Sequence, residues 1–133
     1  MAENRSAKEI LLVDDDPDYS EVTRTRLEAF GYQVSCVSNG EQALEFLDRD
    51  RQPSLIIMDV DMPDKNGLTT LININARRSR QSEKEKPSIP VIVATGLEGE
   101  KIRELIMNQN VSRFLKKPYD SKELIQAVKR LIG

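Results

Sequence analysis

Short apolar runs alternate with amphipathic segments along the whole chain. The apolar runs have the length of strands, and the segments between them repeat apolar residues at helical spacing. The predicted strands cover residues 10–13, 32–38, 55–58, 91–94 and 111–115. Strands that alternate with helices in this way form βα units around a parallel sheet. The pattern therefore predicts an α/β domain of the (βα)5 type.

Five helices are predicted between and after these strands. The first begins at Pro17, which suits a first helical turn, and ends before Gly31. The fourth should cover about residues 99–109, and Asp120 or Ser121 should cap the fifth. The buried stripes of the second, third and fifth helices are predicted to be, in chain order, Ala43, Leu44 and Leu47; Leu68, Leu71, Ile72 and Ile74; and Leu124, Ala127, Val128 and Leu131. The charged segment 77–88 is interpreted as a solvated helix end and loop.

The bulk composition excludes several classes of protein. With 20 Lys and Arg against 22 Asp and Glu, the net charge of −2 lacks the basic excess that direct nucleic-acid binding requires. No apolar run approaches the roughly 20 residues of a membrane span. The polar start and the single Cys36 favour a cytoplasmic protein without disulfides. We expect residues 1–7 to be an N-terminal tail and residues 8–133 to form one domain.

The chain contains no His. It therefore has no imidazole to carry a phosphoryl group, to act as a general base or to complete an ordinary zinc site.

Polar side chains directly follow four of the five predicted strands. Asp14 and Asp15 follow the first, Asp59 the third and Thr95 the fourth, and Lys117 lies just past the fifth. Ligands of open parallel sheets bind outside the carboxyl ends of the strands, where the strand order reverses. The second strand carries no comparable residue, which fits an edge position and the flavodoxin-like order 2-1-3-4-5, with helices on both faces of the sheet.

The three carboxylates predict a cation site. Carboxylates about 4 Å apart repel each other by a few kcal/mol at an effective dielectric near 20, so a counter-charge is needed. Carboxylate oxygens together with a phosphate are the usual surroundings of Mg²⁺. Lys117 supplies a fixed positive charge and the Thr95 hydroxyl can donate to a phosphoryl oxygen, which predicts phosphoryl transfer. Each residue alone could instead cap a helix, start a turn or lie on the surface, but the combination favours a site.

The chain resembles the response-regulator receiver domain over residues 8–132. The motifs that carry the resemblance, in chain order, are Ile10-Leu11-Leu12-Val13-Asp14-Asp15-Asp16, Leu55-Ile56-Ile57-Met58-Asp59 with Met62-Pro63 and Gly67, Pro90-Val91-Ile92-Val93-Ala94-Thr95, and Lys117-Pro118. The resemblance implies that Asp59 is the phosphoryl acceptor. It also implies that Asp15, Asp59 and the backbone carbonyl of Asp61 bind Mg²⁺, while Asp14 helps, often through water.

Further roles are implied by the same resemblance. Thr95 and Lys117 should contact the bound phosphoryl group, and the Lys117–Pro118 bond should be cis. The donor should be the phospho-histidine of a sensor kinase or a phosphotransfer protein, and the chain should be a stoichiometric acceptor rather than a turnover enzyme. Phosphorylation should draw Thr95 inward with Phe114, altering the face formed by the fourth helix, fifth strand and fifth helix. Phe114 is equally compatible with a core position.

The sequence departs from the family pattern in three places. Asn110-Val111 replaces the usual Gly-Ala pair, and segment 77–88 is longer than typical. Asp61 and Leu97 lie where the family tunes its hydrolysis rate, and that rate is not predicted.

Two alternatives compete with a phosphorylated receiver. A pseudo-receiver would bind partners without phosphate. Such domains typically lack one or more of the acceptor, the acidic pair, the Thr and the Lys, and this sequence has all of them. A haloacid-dehalogenase-like phosphatase would use Asp59-Val60-Asp61. In that family, however, the strand that carries the nucleophile is the first in the chain, whereas here the acidic run after the first strand precedes Asp59.

The output of the domain is left open by the sequence. Neither the downstream effector nor the choice between a stand-alone protein and part of a larger regulator is predicted. Ile125 and Ile132 either widen the buried stripe of the last helix or form part of a surface for a partner or for a phosphorylation-dependent homodimer.

Overall fold

In a computed structural model, the chain is described over residues 8–49, 52–60, 67–82, 89–96, 100–108 and 111–133. Strands and helices alternate in the order β1 (Glu9–Val13), α1 (Pro17–Ala29), β2 (Gln33–Val37), α2 (Gly40–Asp48), β3 (Leu55–Asp59), α3 (Gly67–Ser82), β4 (Val91–Thr95), α4 (Glu100–Met107), β5 (Arg113–Lys116) and α5 (Ser121–Ile132). The predicted (βα)5 arrangement is confirmed. The expected tail, residues 1–7, lies outside the described part of the chain.

The five strands form one parallel sheet in the order β2-β1-β3-β4-β5. β3 and β4 are buried at every position, as expected for strands covered on both faces. The predicted strand order is therefore confirmed. It places β1 beside β3, so the residues that follow these two strands emerge next to each other.

Two apolar clusters cover the two faces of the sheet. One joins the sheet to α1 and α5 through residues such as Leu27, Leu124 and Val128. The other joins the opposite face to α2, α3 and α4 through Leu47 and Ile106, among others. The result is a three-layer structure in which helices on both faces hold the strands and leave their ends available for a site.

The buried faces of two helices differ from the prediction. In α3, Ile72 is 46% exposed, so its assignment to the buried stripe is wrong. Thr70 is buried together with Leu71 and Ile74, and residue 72 lies about 150° around the helix from the middle of that face. In α2, Phe46 is buried, although the predicted stripe did not include it. The side chain of Leu68 lies outside the described set.

The α2–α3 contact explains why Thr70 is buried. A Cβ at Gly40 would overlap the Thr70 side-chain oxygen, so glycine allows these helices to approach closely.

The last helix follows its predicted pattern closely. Asp120 caps α5: its side chain accepts a hydrogen bond from the Glu123 N–H, and the Asp120 N–H donates one to the Glu123 side chain. Ile125 is 8% exposed and belongs to the first apolar cluster, against which Ile132 also packs. These residues therefore widen the buried stripe within the chain. A phosphorylation-dependent homodimer stays a prediction.

The edge strands are less buried than the central strands. β5 begins at Arg113, two residues later than predicted. In β2, Val34 is half-buried against the first cluster, whereas Cys36 is exposed. Within the described residues, no helix is long and apolar enough to cross a membrane.

Candidate functional site

The strand ends bring the predicted site residues to one edge of the sheet. Asp14 directly follows β1, Asp59 and Thr95 end β3 and β4, and Lys117 directly follows β5. Backbone hydrogen bonds extend the strand pairing to this edge, because the Lys117 N–H donates to the Thr95 carbonyl at 2.8 Å. The Asp14 N–H likewise donates to the Val37 carbonyl at 3.1 Å. The positions of these side chains are therefore set by the sheet itself.

Three carboxylates meet at the centre of the edge. Asp14, Asp15 and Asp59 each offer an oxygen within 4.8 Å of the others. Asp14 and Asp59 are buried, with 5% and 4% of their surface exposed, whereas Asp15 is exposed. Two of these carboxylates are therefore buried and one faces solvent, and together the three form the acidic cluster of the site.

The acidic run after β1 divides its roles between capping and the site. Asp16 caps α1, since its side chain accepts hydrogen bonds from the N–H groups of Asp18 at 3.0 Å and Tyr19 at 3.2 Å. Asp14 accepts a hydrogen bond from the Asp16 N–H through Oδ1 at 2.9 Å, which leaves its Oδ2 for the contact with Lys117. The helix-cap explanation is thus correct for Asp16, and Asp14 and Asp15 remain for the site.

Lys117 supplies the counter-charge to the two buried carboxylates. Its Nζ lies 3.3 Å from Asp14 Oδ2 and 3.2 Å from Asp59 Oδ2, and its side chain is only 15% exposed. Burial lowers the pKa of the Lys117 ammonium, but attraction to the carboxylates of Asp14 and Asp59 outweighs this effect, so the pKa lies above its ordinary value. The Lys117–Pro118 peptide bond is cis, as the resemblance implied.

An aromatic pair beside Lys117 was not anticipated from the sequence. The ring of Tyr19, in the first turn of α1, lies 4.3 Å from Lys117 Nζ. Tyr119 packs edge-to-face against it, with ring centroids 5.5 Å apart and an interplanar angle of 85°. Burial raises the pKa of Tyr119 to about 12. The only sequence signal was an aromatic residue three positions after the cap of the helix that follows the acidic run.

Thr95 and Phe114 lie on one face of the sheet. Val93 pairs with Phe114 and Thr95 with Lys116, and side chains two positions apart on a strand share a face. Thr95 is completely buried. Phe114 is half-buried against the second apolar cluster, and the Arg103 guanidinium of α4 lies 5.1 Å from its ring centroid. The core role of Phe114 is therefore confirmed, and its role in a switch stays a prediction.

Some predicted positions fall outside the described residues. These are Asp61, Leu97, Asn110 and residues 83–88 of the long charged segment.

The donor set fits a hard divalent cation. Asp14, Asp15 and Asp59 all offer carboxylate oxygens, the ligand type that Mg²⁺ prefers. The single Lys117 ammonium offsets only part of the repulsion among these three carboxylates. Asp14 and Asp59 could each bind through the oxygen now directed at Lys117, whereas Asp15 already faces solvent. The described residues therefore suit Mg²⁺ better than a soft metal, which would call for Cys or His ligands.

A comparison with known protein families shows to which family the chain belongs. The family described as "Response regulator receiver domain" matches residues 10–129, nearly the whole domain. The chain belongs to this family. It is therefore a receiver domain of two-component signal transduction, and the predicted flavodoxin-like fold is that of its relatives.

Individual relatives agree with the assignment. The transcriptional regulatory protein CpxR of Escherichia coli is 34% identical over 123 residues, which cover 92% of this chain and 48% of CpxR. This receiver chain thus spans about half the length of that curated relative. The receiver domain of a histidine kinase from Syntrophus aciditrophicus is 33% identical, with a TM-score of 0.81 over 95% of this chain and 90% of that one.

A third relative bears on the cation. The receiver domain of the sensor histidine kinase PA1611 from Pseudomonas aeruginosa is 30% identical, with a TM-score of 0.79 over 96% of this chain and 98% of that one. Its structure has a magnesium ion coordinated in the active-site cleft. These relatives favour a receiver over the haloacid-dehalogenase-like and pseudo-receiver alternatives.

Proposed function

We propose that this receiver accepts a phosphoryl group on Asp59 from the phospho-histidine of a sensor kinase or phosphotransfer protein, in a reaction that depends on Mg²⁺. The observation that carries the proposal is the position of Asp59. Its carboxylate is buried at the end of β3, in one cluster with Asp14 and Asp15, and the Lys117 ammonium lies 3.2 Å away. A carboxylate acceptor with other carboxylates for a cation and a fixed ammonium beside it has the parts that phosphoryl transfer needs.

The transfer is a displacement at phosphorus. A carboxylate oxygen of Asp59 attacks the phosphorus atom, the P–N bond to the donor imidazole breaks, and its electron pair stays on the imidazole nitrogen. An acyl phosphate forms, and Lys117 balances charge on the phosphoryl oxygens from its position between Asp14 and Asp59. A bound Mg²⁺ supplies positive charge that offsets the repulsion between the carboxylates of the acidic cluster and the phosphoryl group. Asp14, Asp15, Asp59 and the Asp61 carbonyl are its proposed ligands.

The proposed output runs through Thr95 and Phe114. Thr95 ends β4 beside Lys117, so its hydroxyl is proposed to contact the phosphoryl group. Phe114 lies on the same sheet face, and the Arg103 guanidinium of α4 lies over its ring, so a movement of Thr95 is proposed to reach α4 through Phe114. The proposed result is an altered face of α4, β5 and α5 that an effector recognises.

Labelling from a small phosphodonor tests the proposal. We expect stoichiometric, Mg²⁺-dependent incorporation from radiolabelled acetyl phosphate in the parent protein, and no incorporation in Asp59→Asn. Asp18→Asn is the matched control, because Asp18 is an exposed carboxylate in the first turn of α1, outside the acidic cluster. Equal labelling of Asp59→Asn and parent, or full labelling in the presence of a chelator, would contradict the proposal. Continuous turnover of a phosphomonoester would instead indicate a phosphatase.

A further inference from the structure

Lys117 has two kinds of neighbour. Its Nζ lies 3.2–3.3 Å from carboxylate oxygens of Asp59 and Asp14, and 4.3 Å from the ring centroid of Tyr19. With the Lys117 side chain 15% exposed, the ammonium has little access to water that could take the place of either neighbour. The aromatic ring is therefore one of the main contacts of the charged group.

The Tyr19 ring is itself held from two elements. Its backbone N–H is fixed by the Asp16 cap at 3.2 Å, and its ring packs at 85° against Tyr119. Tyr119 is 6% exposed, and its hydroxyl lies 3.3 Å from the Thr23 hydroxyl, one turn further along α1. Tyr19 therefore bridges the start of α1 and the loop that carries Lys117, in a position that packing determines.

The two kinds of contact respond differently to a bound cation. A divalent cation at Asp14 and Asp59 reduces the net negative charge that attracts Lys117 toward these oxygens. The face of an aromatic ring attracts an ammonium through its quadrupole, and this attraction does not depend on the charge state of the carboxylates. The ring is also neutral, so it does not compete with the acceptor for the cation.

We infer that Tyr19 is a positioning residue, which holds the Lys117 ammonium over Asp59 through its aromatic face while the carboxylates are engaged. This inference rests on the proposed function and adds a residue to it. The aromatic ring carries the effect, and the Tyr19 hydroxyl is not needed for it.

Three variants separate a positioning role from general packing. Tyr19→Leu removes the ring and keeps apolar volume, Tyr19→Phe keeps the ring, and Val22→Ala is a control on the same helix at an exposed position. At saturating Mg²⁺, the rate constant for labelling from acetyl phosphate should fall about 3- to 10-fold in Tyr19→Leu. Beryllofluoride affinity, measured by calorimetry, should fall by a similar factor. Tyr19→Phe should restore both values to near those of the parent, and Val22→Ala should leave them unchanged.

The inference is wrong if a folded Tyr19→Leu labels and binds beryllofluoride like the parent, or if Tyr19→Phe is as defective as Tyr19→Leu. Absence of labelling in the parent would instead refute the proposed function, so the two failures are distinguishable.

A measurement without metal keeps the inference testable if Tyr19→Leu does not fold. In the parent, the Lys117 Cε protons should show upfield ring-current shifts in nuclear magnetic resonance spectra, because Nζ lies near the ring face. These shifts should persist in Tyr19→Phe. Ordinary chemical shifts at the Lys117 Cε protons of the parent would overturn the inference.

Discussion

Replacing Lys117 with Met removes the ammonium from the carboxylates of Asp14 and Asp59 and keeps most of the apolar part of the side chain. The two ion pairs at 3.2 and 3.3 Å join an ammonium whose side chain is 15% exposed to carboxylates that are 3–4% exposed. Coulomb's law at an effective dielectric near 20 gives roughly 5 kcal/mol of attraction for each pair, which desolvation largely offsets. Loss of one partner from a fully buried pair costs about 3–5 kcal/mol. Because Lys117 keeps some contact with water, we expect about 2–3 kcal/mol.

The assay is thermal unfolding at pH 7 in buffer freed of divalent cations. For a chain of 133 residues, each kcal/mol shifts Tm by about 3–4 °C, so Lys117→Met should melt roughly 7–11 °C below the parent. Added Mg²⁺ should raise the Tm of Lys117→Met more than that of the parent, because in the variant no ammonium competes for Asp14 and Asp59. Lys122→Met, a change at an exposed lysine of α5, should melt like the parent.

Two results would refute this reasoning. The first is a metal-free Lys117→Met protein as stable as the parent, which would mean that the ammonium does not offset the repulsion among the carboxylates of Asp14, Asp15 and Asp59. The second is an equal rise in Tm on addition of Mg²⁺ to both proteins, which would mean that the cation and Lys117 do not share the same carboxylates.

Two further predictions concern packing around the site and between helices. Burial raises the pKa of Tyr119 to about 12 from an ordinary value near 10, so the neutral phenol contributes stability that is complete below pH 10 and lost as the pH rises through about 12. From pH 10 to pH 12, the free energy of unfolding measured by chemical denaturation should fall by about 2–3 kcal/mol more in the parent than in Tyr119→Phe. An equal fall in both proteins would contradict the assignment. Gly40→Ala should destabilise by about 1–3 kcal/mol, because its Cβ would overlap Thr70, and Thr70→Ala should recover much of the loss. A Gly40→Ala protein with the parent's unfolding free energy would exclude this clash.

The fold was accessible from the sequence because its strands carry strong local signals. Runs such as Leu55 to Met58 are short and apolar at every position, which is the pattern of a strand covered on both faces. The helix boundaries were read from residues whose effect is also local, such as Pro17 at the start of α1 and Asp120 at the cap of α5. The faces of helices were less accessible. Ile72 lies at a spacing compatible with burial, but the close approach of α2 to α3 places Thr70 there instead.

The chemistry of the site divides in the same way. By itself, the sequence determined that Asp14, Asp15, Asp59, Thr95 and Lys117 follow strands, and a parallel sheet then requires these residues to share one edge. It also carried the motif order that distinguishes a receiver from other families. These properties depend on residue type and on position along the chain, which the sequence contains directly.

Only the tertiary structure decided how the site residues divide their contacts. It assigned the helix cap to Asp16, gave Asp14 and Asp59 a common partner in Lys117, and placed Tyr19 against that partner. Tyr19 and Lys117 are far apart in the sequence, and they meet because α1 and the loop after β5 pack on the same side of the sheet. Such contacts depend on the distances between packed elements, and no local pattern along the chain encodes those distances.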